Sequence, residues 1–434
     1  MSAPPILTPP RVAVTGLGGY ARHHHLTLQR LEQAGLCRVV ATCDPSLDKM
    51  LPASADLQLA ARGVKTYPSF AAMIEGSAGA VDAVTIPTPI HEHAPMHRLA
   101  VERGLAVYLE KPPTLWWEEL ETMIDTDARA SRATEVGFNF ITEPARWALK
   151  VRLLAGEFGQ LQAAAFAGRW PRPKTYFLRN DWAGKIFRPG APVPLLDSCF
   201  GNAMGHYVQN LLHWAGPAPA GFATVLDVRA SLYQAHAIEG PDTVFAEART
   251  PEGVVLRFAA THACPPESEG HAEYLFCERA QLRYVTEREC EIRWVDGRRE
   301  TIDLRTQGDW QERNFRRFFD YLAGRHTAPV VSLRDCRPFV AWNDLVFAAA
   351  PGIAPFPPEV VDWHANNTIP APRGLTDALR DFAETGRWPH ENKNLSWARE
   401  PGRGHLSELP QTLAKIQALA MRLPELGGNI SQPG

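Results

Sequence analysis

The sequence has 434 residues, 45% of them hydrophobic and 21% charged, with a formal net charge of −3. This balance is typical of an ordinary globular protein and gives no reason to expect a nucleic-acid partner. No run of 18 or more apolar residues occurs, so the sequence predicts no membrane span. The length exceeds that of a usual single core, so two domains and an appendage are expected.

Seven cysteines are scattered through the chain, and none of them forms a CxxC pair. An odd number without metal-like or disulfide-like spacing predicts reduced thiols and a cytoplasmic protein. Residues 1–10 lack a charged start and a long apolar region. They are expected to form a disordered leader rather than a signal peptide.

A glycine-rich turn follows the first predicted strand, Arg11–Thr15, and precedes a predicted helix over about 20–34. The turn reads GLGGYA, which is a GxGxxA pattern. Gly16 permits the tight turn, Gly18 lets a pyrophosphate touch the backbone, and the small third position lets the helix pack closely on the sheet. The turn therefore predicts dinucleotide binding by Gly16, Gly18, Gly19, Tyr20 and Ala21.

An aspartate ends the second predicted strand, Cys37–Cys43. A carboxylate at Asp44 would accept hydrogen bonds from an adenosine ribose. It favours NAD, because the 2′-phosphate of NADP would meet a like charge, while Ser46 and Lys49 keep NADP as an alternative. The other interpretation is a simple glycine turn followed by an ordinary loop aspartate.

Predicted helices and strands continue to alternate up to about residue 140, which predicts a parallel, doubly wound Rossmann sheet. The predicted elements are helix 46–62, a turn at Tyr67-Pro68, helix 69–76, strand Val81–Ile86, helix 93–103, strand Ala106–Leu109, helix 115–131 and strand Glu135–Phe140. Three consecutive histidines, His23–His25, would point about 100° apart on a helix and cannot converge on one metal ion. They are interpreted as helix surface near the cofactor turn.

A glutamate and a lysine, Glu110 and Lys111, follow the strand Ala106–Leu109, and two prolines then stop further ladder pairing. Open α/β sheets bind ligands at the carboxyl ends of their strands, so Lys111 would lie at the mouth of the sheet. The prolines push Lys111 toward extended geometry on a stiff platform. A surface Lys-Pro turn is the alternative.

Together these residues resemble the Gfo/Idh/MocA oxidoreductases, the glucose–fructose oxidoreductase and inositol dehydrogenase group. The resemblance is carried by GLGGYA at 16–21, Thr88-Pro89 followed by His93, Glu110-Lys111-Pro112 and VGFNF at 136–140. It implies NAD(P) in the first domain and a second α+β domain with a large, mostly antiparallel open sheet, with the substrate between them. It also implies that Lys111 touches substrate and nicotinamide, and that the cofactor is contacted by Thr88, Pro89, His93, Glu110 and Lys111.

The densest aromatic and basic stretch of the chain follows a predicted helix over 143–156 and the predicted strand Leu161–Gly168. Indole faces beside polar side chains suit a polyhydroxylated ligand, and some family members carry a similar RNxWAG loop. A long loop pinned by buried tryptophans is the alternative. The candidate substrate residues in this loop are Trp170, Arg179, Asp181 and Trp182.

His206 is the candidate general acid/base, because the ordinary histidine pKa of about 6.5 suits proton transfer near neutrality. Most family members place an aspartate four residues before this histidine, but here Asn202 occupies that position and Asp197 lies nine residues before it. Asn202 is assigned to orienting the imidazole or binding a hydroxyl, and Asp197 to a supporting role at the substrate. A helix cap for Asn202 and a satisfied core histidine for His206 are the alternatives.

Strand-like runs alternate with turns from about 221 to 302, which predicts antiparallel pairing. The runs are Gly221–Leu232, Asp242–Ala248, Val254–His262, Ala272–Cys277, Gln281–Val285 and Cys290–Val295. If helices cover one face of this sheet, the other face needs a partner. A homodimer or homotetramer is therefore expected to form through the open face.

Three segments follow from these patterns. Residues 11–142 are predicted to form the nucleotide-binding domain, and residues 143–350 the substrate and oligomerisation domain, closed by helices 309–323 and 332–350. Residues 351–434 are predicted to be a C-terminal wrapping extension with helices near 375–386 and 410–422. No chemistry is assigned to the extension.

The combined residues predict reversible hydride transfer between NAD(P) and a carbinol carbon of a sugar, polyol or related cyclic alcohol. Lys111 would stabilise the developing alkoxide and His206 would take or return its proton, so the two side chains would have to meet above the nicotinamide. No metal, nucleic-acid or membrane site is predicted. One alternative is tightly held NAD used transiently in isomerisation, hydride swapping or oxidative glycoside cleavage. Another is a non-catalytic nucleotide-binding sensor.

Overall fold

The computed structural model describes residues 5–6, 9–188, 190–191 and 193–421. The chain divides into two structural units. The first unit comprises the residues up to Trp147 together with Thr306–Arg337, and the second comprises Ala148–Arg305 together with the residues from Pro338 onward. Most of the predicted leader and the end of the predicted extension, from residue 422, lie outside the described residues.

The secondary structure is numbered in chain order. The strands are β1 Arg11–Thr15, β2 Arg38–Cys43, β3 Lys65–Tyr67, β4 Ala83–Ile86, β5 Ala106–Glu110, β6 Glu135–Gly137, β7 Leu161–Arg169, β8 Asp227–Gln234, β9 Thr243–Arg249, β10 Val255–Thr261, β11 Gly270–Cys277, β12 Ala280–Val285, β13 Glu289–Trp294, β14 Arg299–Asp303, β15 Ile353–Pro355, β16 Val361–His364, β17 Ile369–Pro372 and β18 Gly402–His405. The helices are α1 Gly19–Gln33, α2 Leu47–Ala53, α3 Phe70–Gly76, α4 His93–Glu102, α5 Trp117–Asp127, α6 Pro144–Leu154, α7 Lys174–Phe177, α8 Gly205–Ala215, α9 Trp310–Leu322, α10 Arg337–Ala349, α11 Leu375–Thr385 and α12 Thr412–Ala420.

The first unit is built on a six-stranded sheet in the order β3-β2-β1-β4-β5-β6. Every neighbouring pair in it is parallel. This order reverses between β1 and β4, which places the topological switch point, and hence the ligand-binding edge, at the carboxyl ends of these two strands. The predicted doubly wound Rossmann sheet is confirmed.

Helix α9 completes the core of the first unit. Its aromatic stripe, Phe315, Phe318 and Phe319, is buried in one cluster with Val12 and Leu28. Burial of such side chains contributes roughly 1.5–3 kcal/mol each, which is enough to hold the helix on this sheet. Residues 306–337, which the sequence analysis counted with the second domain, therefore belong to the first unit.

The second unit contains a ten-stranded sheet in the order β14-β13-β12-β11-β7-β10-β9-β8-β15, with β18 also pairing with β8. Only the β7–β10 and β8–β15 pairs are parallel among its described strands. The predicted large, mostly antiparallel sheet is confirmed. Strands β14, β15 and β18 were not among the predicted runs, and β8 begins at Asp227 rather than at Gly221.

Helix α8 covers one face of this sheet. Tyr207 stacks on Phe166 of β7 with ring centroids 4.2 Å apart, and Trp214 meets the edge of Tyr284 of β12 at 5.8 Å. The opposite face, predicted to be open, carries the chain's own residues from Ile353 to His405 over its apolar part. Assembly through this face stays a prediction, and these residues of the same chain occupy the apolar surface that it would use.

Two elements of the first unit differ from their predictions. The helix predicted over 46–62 is wrong in length, because α2 ends at Ala53, just after Pro52, and Gln58 adopts a left-handed φ of 50°. Proline removes an N–H donor and a left-handed residue reverses the chain direction, so the helix cannot continue. The Tyr67-Pro68 turn is preceded by a strand, β3, that pairs with β2.

A buried carboxyl group in β6 yields a prediction for stability. Glu135 is 2% exposed, and its Oε2 has no hydrogen-bond partner among the described residues. Burial raises the pKa of Glu135 from 4.5 to about 8, although the charge of Arg317 works in the opposite direction. The folded state therefore keeps a proton that the unfolded state releases, so stability is full below about pH 4.5 and falls by up to about 1.4 kcal/mol per pH unit up to about pH 8.

Glu135→Gln should remove this pH dependence. The variant should match the wild type near pH 5 and be more stable at pH 8, as measured by Tm in the two buffers. Glu102→Gln, at an exposed position of α4, is the matched control and should leave the pH profile unchanged. An equal Tm difference at both pH values would contradict the assignment.

Candidate active site

The glycine turn between β1 and α1 has the geometry that a dinucleotide site needs. Gly16 has a φ of +89°, and a Cβ there would lie 3.1 Å from the Cβ of Ala21. Helix α1 begins at Gly19, and its N-cap, Gly18, has no side chain to occupy the free N–H groups. No acidic side chain lies in the described first turn of α1. This helix N-terminus is therefore open to an anion such as a pyrophosphate.

Asp44, predicted to bind the ribose, supports the glycine turn. It lies just after β2 and is 9% exposed. Its Oδ2 accepts a hydrogen bond from the Leu17 N–H at 3.0 Å, and its Oδ1 accepts one from the Ser46 N–H at 2.8 Å. A carboxylate has about four acceptor sites, so the remaining ones could take ribose hydroxyls. These residues fit NAD.

Gly18→Ala should weaken NAD binding without unfolding the protein. Gly18 has φ −102° and ψ 177°, which alanine adopts without strain. The new Cβ would meet only the flexible Met50 methyl, 2.9 Å away, and would otherwise stand where the pyrophosphate approaches. Losing charge-assisted contacts of about 1.5–3 kcal/mol corresponds to about 10–100-fold in Kd.

Isothermal titration with NAD, together with Tm, measures this effect. Gly352→Ala is the control, since its Cβ would meet nothing within 4 Å and the position is remote in sequence from the turn. An unchanged Kd for NAD in the Gly18 variant would show that the pyrophosphate does not approach this backbone.

A buried histidine holds the glutamate of the Glu110-Lys111 pair. His24 is fully buried, and its Nε2 lies 2.9 Å from Oε1 of Glu110. The other oxygen of Glu110, Oε2, accepts a hydrogen bond from the backbone N–H of Lys111 at 3.2 Å. Tyr108 and Phe315 pack edge-on against the imidazole. The carboxylate of Glu110 is thus fixed beneath Lys111 by a contact from α1.

The prediction that His23–His25 form helix surface is wrong for two of the three. Only His23 is exposed. His25 is buried, and its Nε2 lies 3.1 Å from the carbonyl oxygen of Gly16, while burial lowers the pKa of His25 to about 4, so it is neutral. The signal was present in the sequence, because His24 shares the helix face of Ala21, Leu28 and Leu31, which are all buried.

His24→Phe should destabilise the protein by about 1–3 kcal/mol, because it leaves a buried carboxylate oxygen of Glu110 without its partner. Phenylalanine keeps the aromatic packing, so the loss reports on the hydrogen bond. His23→Ala, one residue earlier and exposed, should change stability by less than about 0.5 kcal/mol. Urea unfolding of both variants measures the difference in stability. Equal losses of stability would refute a stabilising contact between His24 and Glu110.

Lys111 lies half-buried directly after β5, at the carboxyl end of the parallel sheet. The Lys111–Pro112 peptide bond is cis. His93, predicted to contact the cofactor, is fully buried, with Nδ1 3.0 Å from the carbonyl oxygen of Pro112 and Nε2 3.0 Å from that of Thr88. Burial lowers the pKa of His93 to about 4. His93 therefore lies between the two loops and, as a neutral imidazole with one N–H, donates to one of these carbonyl oxygens at a time. Pro89 is exposed nearby.

In the second unit the aromatic and basic loop forms a ladder of alternating rings and guanidinium groups. The Arg172 guanidinium carbon lies 5.2 Å from the ring centroid of Trp170 and 4.6 Å from that of Tyr176. The Arg179 guanidinium lies 3.5 Å from Tyr176 and 5.6 Å from Trp182. Cation–π contacts of this kind contribute about 0.5–1 kcal/mol each at exposed sites. The ladder unites three of the four predicted loop residues, and Asp181 is exposed next to it.

Two buried histidines that the sequence analysis missed pin the ladder to the sheet. His236 places Nδ1 2.7 Å from Oδ2 of Asp242 and Nε2 2.9 Å from the carbonyl oxygen of Arg172. His262 places Nδ1 2.8 Å from the carbonyl oxygen of Trp170, and burial lowers the pKa of His262 to about 3. The loop is thus held by histidines, while both of its tryptophans are only half-buried.

Asn202 and Asp197 form a hydrogen bond with each other, a contact that the sequence analysis did not predict. The Asn202 Nδ2 donates to Oδ1 of Asp197 at 2.7 Å, and Oδ2 of Asp197 accepts from the Gly184 N–H at 2.6 Å. Asp197 is 4% exposed. Together with Tyr176 and His262 these two side chains line a small cavity of about 10 Å³. Tyr176 of the ladder and the Asn202–Asp197 pair therefore line the same cavity, whose volume is about that of one water molecule.

His206 lies in the first turn of α8, four residues after Asn202. The segment Cys199–Ala203 forms a turn of π-helix, with the Met204 N–H donating to the Cys199 carbonyl at 3.0 Å. Such π-turns are frequent at functional sites. Helix α8 is anchored at its other end, because the buried Lys150 donates to the carbonyl oxygens of Trp214 and Gly216. His206 is 7% exposed on this fixed helix.

Neither a metal cluster nor a membrane-spanning helix is found in the described part of the chain. No group of three or more His, Cys, Asp or Glu side chains there could hold a metal ion. No described helix is long and apolar enough to cross a membrane.

The family model that matches this chain lies within the first unit. Residues 10–138 match the model of an oxidoreductase family with an NAD-binding Rossmann fold. The rhizopine catabolism protein MocA of Rhizobium meliloti is 31% identical over 146 residues, 34% of this chain and 44% of that protein. The scyllo-inositol 2-dehydrogenase (NAD(+)) of Bacillus subtilis is 29% identical over 178 residues, 41% of this chain and 49% of that protein. The chain thus spans about half the length of these curated relatives.

The fold likeness extends to both units. The solved WlbA dehydrogenase from Bordetella pertussis, in complex with NADH and UDP-GlcNAcA, has a TM-score of 0.61 to this chain at 21% identity. The match covers 76% of this chain and 93% of that one. At this identity it shows the shared fold. The matching family model confirms the predicted cofactor class, NAD. Over residues 10–138 the chain is similar to the Gfo/Idh/MocA oxidoreductases, which is the resemblance that the sequence predicted.

Proposed function

We propose that this protein is an NAD-dependent dehydrogenase that transfers a hydride to or from a carbinol carbon of a sugar, polyol or related cyclic alcohol. The observation that carries the proposal is the edge of the first sheet. Three features follow strands β1, β2 and β5 at this edge. They are a helix N-terminus without a side-chain cap, the carboxylate of Asp44, and Lys111 next to the His24–Glu110 contact. This combination suits a dinucleotide beside a group that stabilises negative charge.

Each residue has a proposed role. The glycine turn and Asp44 would hold the pyrophosphate and ribose of NAD, with Thr88 and Pro89 on the neighbouring loop. Bound NAD would supply the hydride acceptor or donor. Lys111 would donate a hydrogen bond to the reacting oxygen and stabilise its developing charge, because an ammonium in a partly desolvated position acts more strongly than in water.

Proton transfer and substrate binding are assigned to the second unit. His206 would take or return the hydroxyl proton, and Asn202, held by Asp197, would orient the substrate or the imidazole. The ladder of Trp170, Arg179 and Trp182 would present flat faces to a sugar ring and donors to its hydroxyls. The names of the relatives, which include an inositol dehydrogenase and a complex with a nucleotide sugar acid, support a polyol or sugar as the substrate class.

A substrate panel tests the proposal. Purified protein is mixed with inositols, hexoses and uronic acids, with NAD and NADP in separate reactions, and NADH or NADPH formation is followed by absorbance. At least one polyol should reduce NAD, and NAD should be preferred over NADP because of Asp44. If no member of the panel produces a reduced nicotinamide, the dehydrogenase proposal fails.

The two alternatives predict different fates for the cofactor. A protein that uses NAD transiently should purify with NAD bound and convert its substrate without net reduction. A sensor should bind NAD without converting any alcohol. Most family members carry aspartate at the position of Asn202, and this difference keeps the non-catalytic sensor as an alternative. Denaturing the purified protein and quantifying released NAD and NADH before and after substrate separates the three cases.

We also propose a cytoplasmic location. None of the seven cysteines forms a disulfide and all are buried, and burial raises the pKa of the Cys37 and Cys43 thiols to about 12. Thiols of this kind are unreactive and suit a reducing compartment.

A further inference from the structure

The chain carries its own cover for the sheet face that the sequence analysis left to a second subunit. This cover, residues Ile353–His405, comprises β15–β18 and α11 and lies opposite α8 on the second sheet. Its aromatic residues pack on β8 and β9. Tyr233 lies 5.4 Å from Phe356 and 5.3 Å from Trp397, as measured between ring centroids, and Phe245 lies 5.6 Å from Phe382.

Helix α11 covers the centre of the same face. Ala383 packs against Ala165 and Ala167 of β7, with Tyr274 and Phe276 of β11 beside them. Small side chains on these strands let a helix come close to the sheet. Leu379 and Phe382 of α11 are fully buried, and burying such side chains contributes roughly 1.5–3 kcal/mol each.

The cover also closes one edge of the sheet. Strand β8 would otherwise expose a row of unpaired backbone groups, which is a ready template for a second chain. The segment β15 pairs with Leu232, Tyr233 and Gln234. The segment β18 pairs with the residues from Asp227 to Ala230. Both halves of the edge are therefore occupied by the same chain.

The part of this face that the cover leaves free is polar. The register places Tyr274 opposite Arg283, Arg283 opposite Glu291, and Glu291 opposite Thr301. Arg283 and Thr301 are exposed, and Glu291 forms an ion pair with Arg293 at 2.7 Å. Permanent subunit interfaces are more apolar than the rest of a protein surface, so this remaining strip does not suit one.

We propose that the cover takes the place of a second subunit and that the protein is a monomer. This replaces the dimer or tetramer expected from the sequence. The apolar area of this face is filled within the chain, and the β8 edge of the sheet is paired within the chain as well. The role of the C-terminal extension is therefore to complete the second unit in cis.

Sedimentation equilibrium of the full chain at micromolar concentrations tests the proposal. The expected result is a single species of 48.1 kDa. A dimer or tetramer at these concentrations would overturn it. This outcome is independent of the proposed enzymatic activity, which neither result affects.

A pair of variants tests the role of the cover itself. Leu379→Asp should loosen α11 from the strands, expose Tyr274 and Phe276, and convert the monomer to larger species. Arg380→Asp, exposed on the same helix, introduces the same side chain and should stay monomeric. A Leu379→Asp protein that is folded by circular dichroism and still monomeric would contradict the proposal. Precipitation of the Leu379 variant but not of the control is the expected result of exposing the sheet face. In that case the sedimentation mass of the wild type decides whether the protein is a monomer.

Discussion

Replacing Lys111 with methionine should lower kcat about 10²–10³-fold while leaving the Kd for NAD nearly unchanged. Methionine keeps the length of the side chain and removes the charge that we assign to stabilising the alkoxide. The glycine turn and Asp44, which would hold the pyrophosphate and ribose, are untouched. The measurement is steady-state turnover of a substrate found in the panel, together with calorimetric titration of NAD.

Lys65→Met is the matched control for this variant, because Lys65 is exposed at the start of β3. It should leave both kcat and the Kd for NAD unchanged. Full turnover in the Lys111 variant would remove the lysine from the mechanism, whereas loss of NAD binding with it would assign the lysine to the cofactor instead.

Replacing His206 with asparagine should lower kcat about 10²–10⁴-fold, which is the usual contribution of a general acid or base. Alcohol oxidation needs a base without its proton, so kcat/KM of the wild type should rise with pH as the proposed base loses its proton. The variant should lose this limb of the profile, since asparagine does not titrate. His405→Asn, at an exposed histidine, is the control. A variant that is slow but keeps the same pH profile would make His206 a structural residue.

The fold of the first unit could be predicted from local signals. Strand, glycine turn, helix and the aspartate after β2 are each set by residues close in sequence, and their order determines a parallel sheet. The neighbours of these residues could not be predicted in the same way. The contact between His24 and Glu110 joins positions 86 residues apart, and only the buried stripe of α1 indicated that His24 faces inward.

The second unit shows why contacts between residues far apart in the sequence could not be predicted. The aromatic loop was predicted to bind a sugar or to be pinned by tryptophans. In the structure its backbone carbonyls are held by His236 and His262, which lie just after β8 and β10, 64 and 92 residues later in the sequence. Such contacts depend on which strands become neighbours, and β7 and β10 are parallel neighbours that no local pattern specifies.

The cover of the second sheet was missed for a different reason. Its strands β15–β18 have only three or four residues each and lie in a segment rich in proline and glycine. Short strands carry almost no alternation signal, and the pairing of β15 and β18 with β8 is decided by tertiary packing. The sequence indicated a wrapping extension but not the surface on which it would lie.

We propose that Lys111 and His206 both act in one hydride-transfer reaction, and a double-variant cycle tests this proposal most directly. The turnover of Lys111→Met, His206→Asn and the combined variant is compared with the wild type on one substrate. If both residues act on one oxygen, the combined variant should be hardly slower than the slower single variant. A combined loss equal to the product of the two single losses would mean that the residues act independently, and would contradict the account.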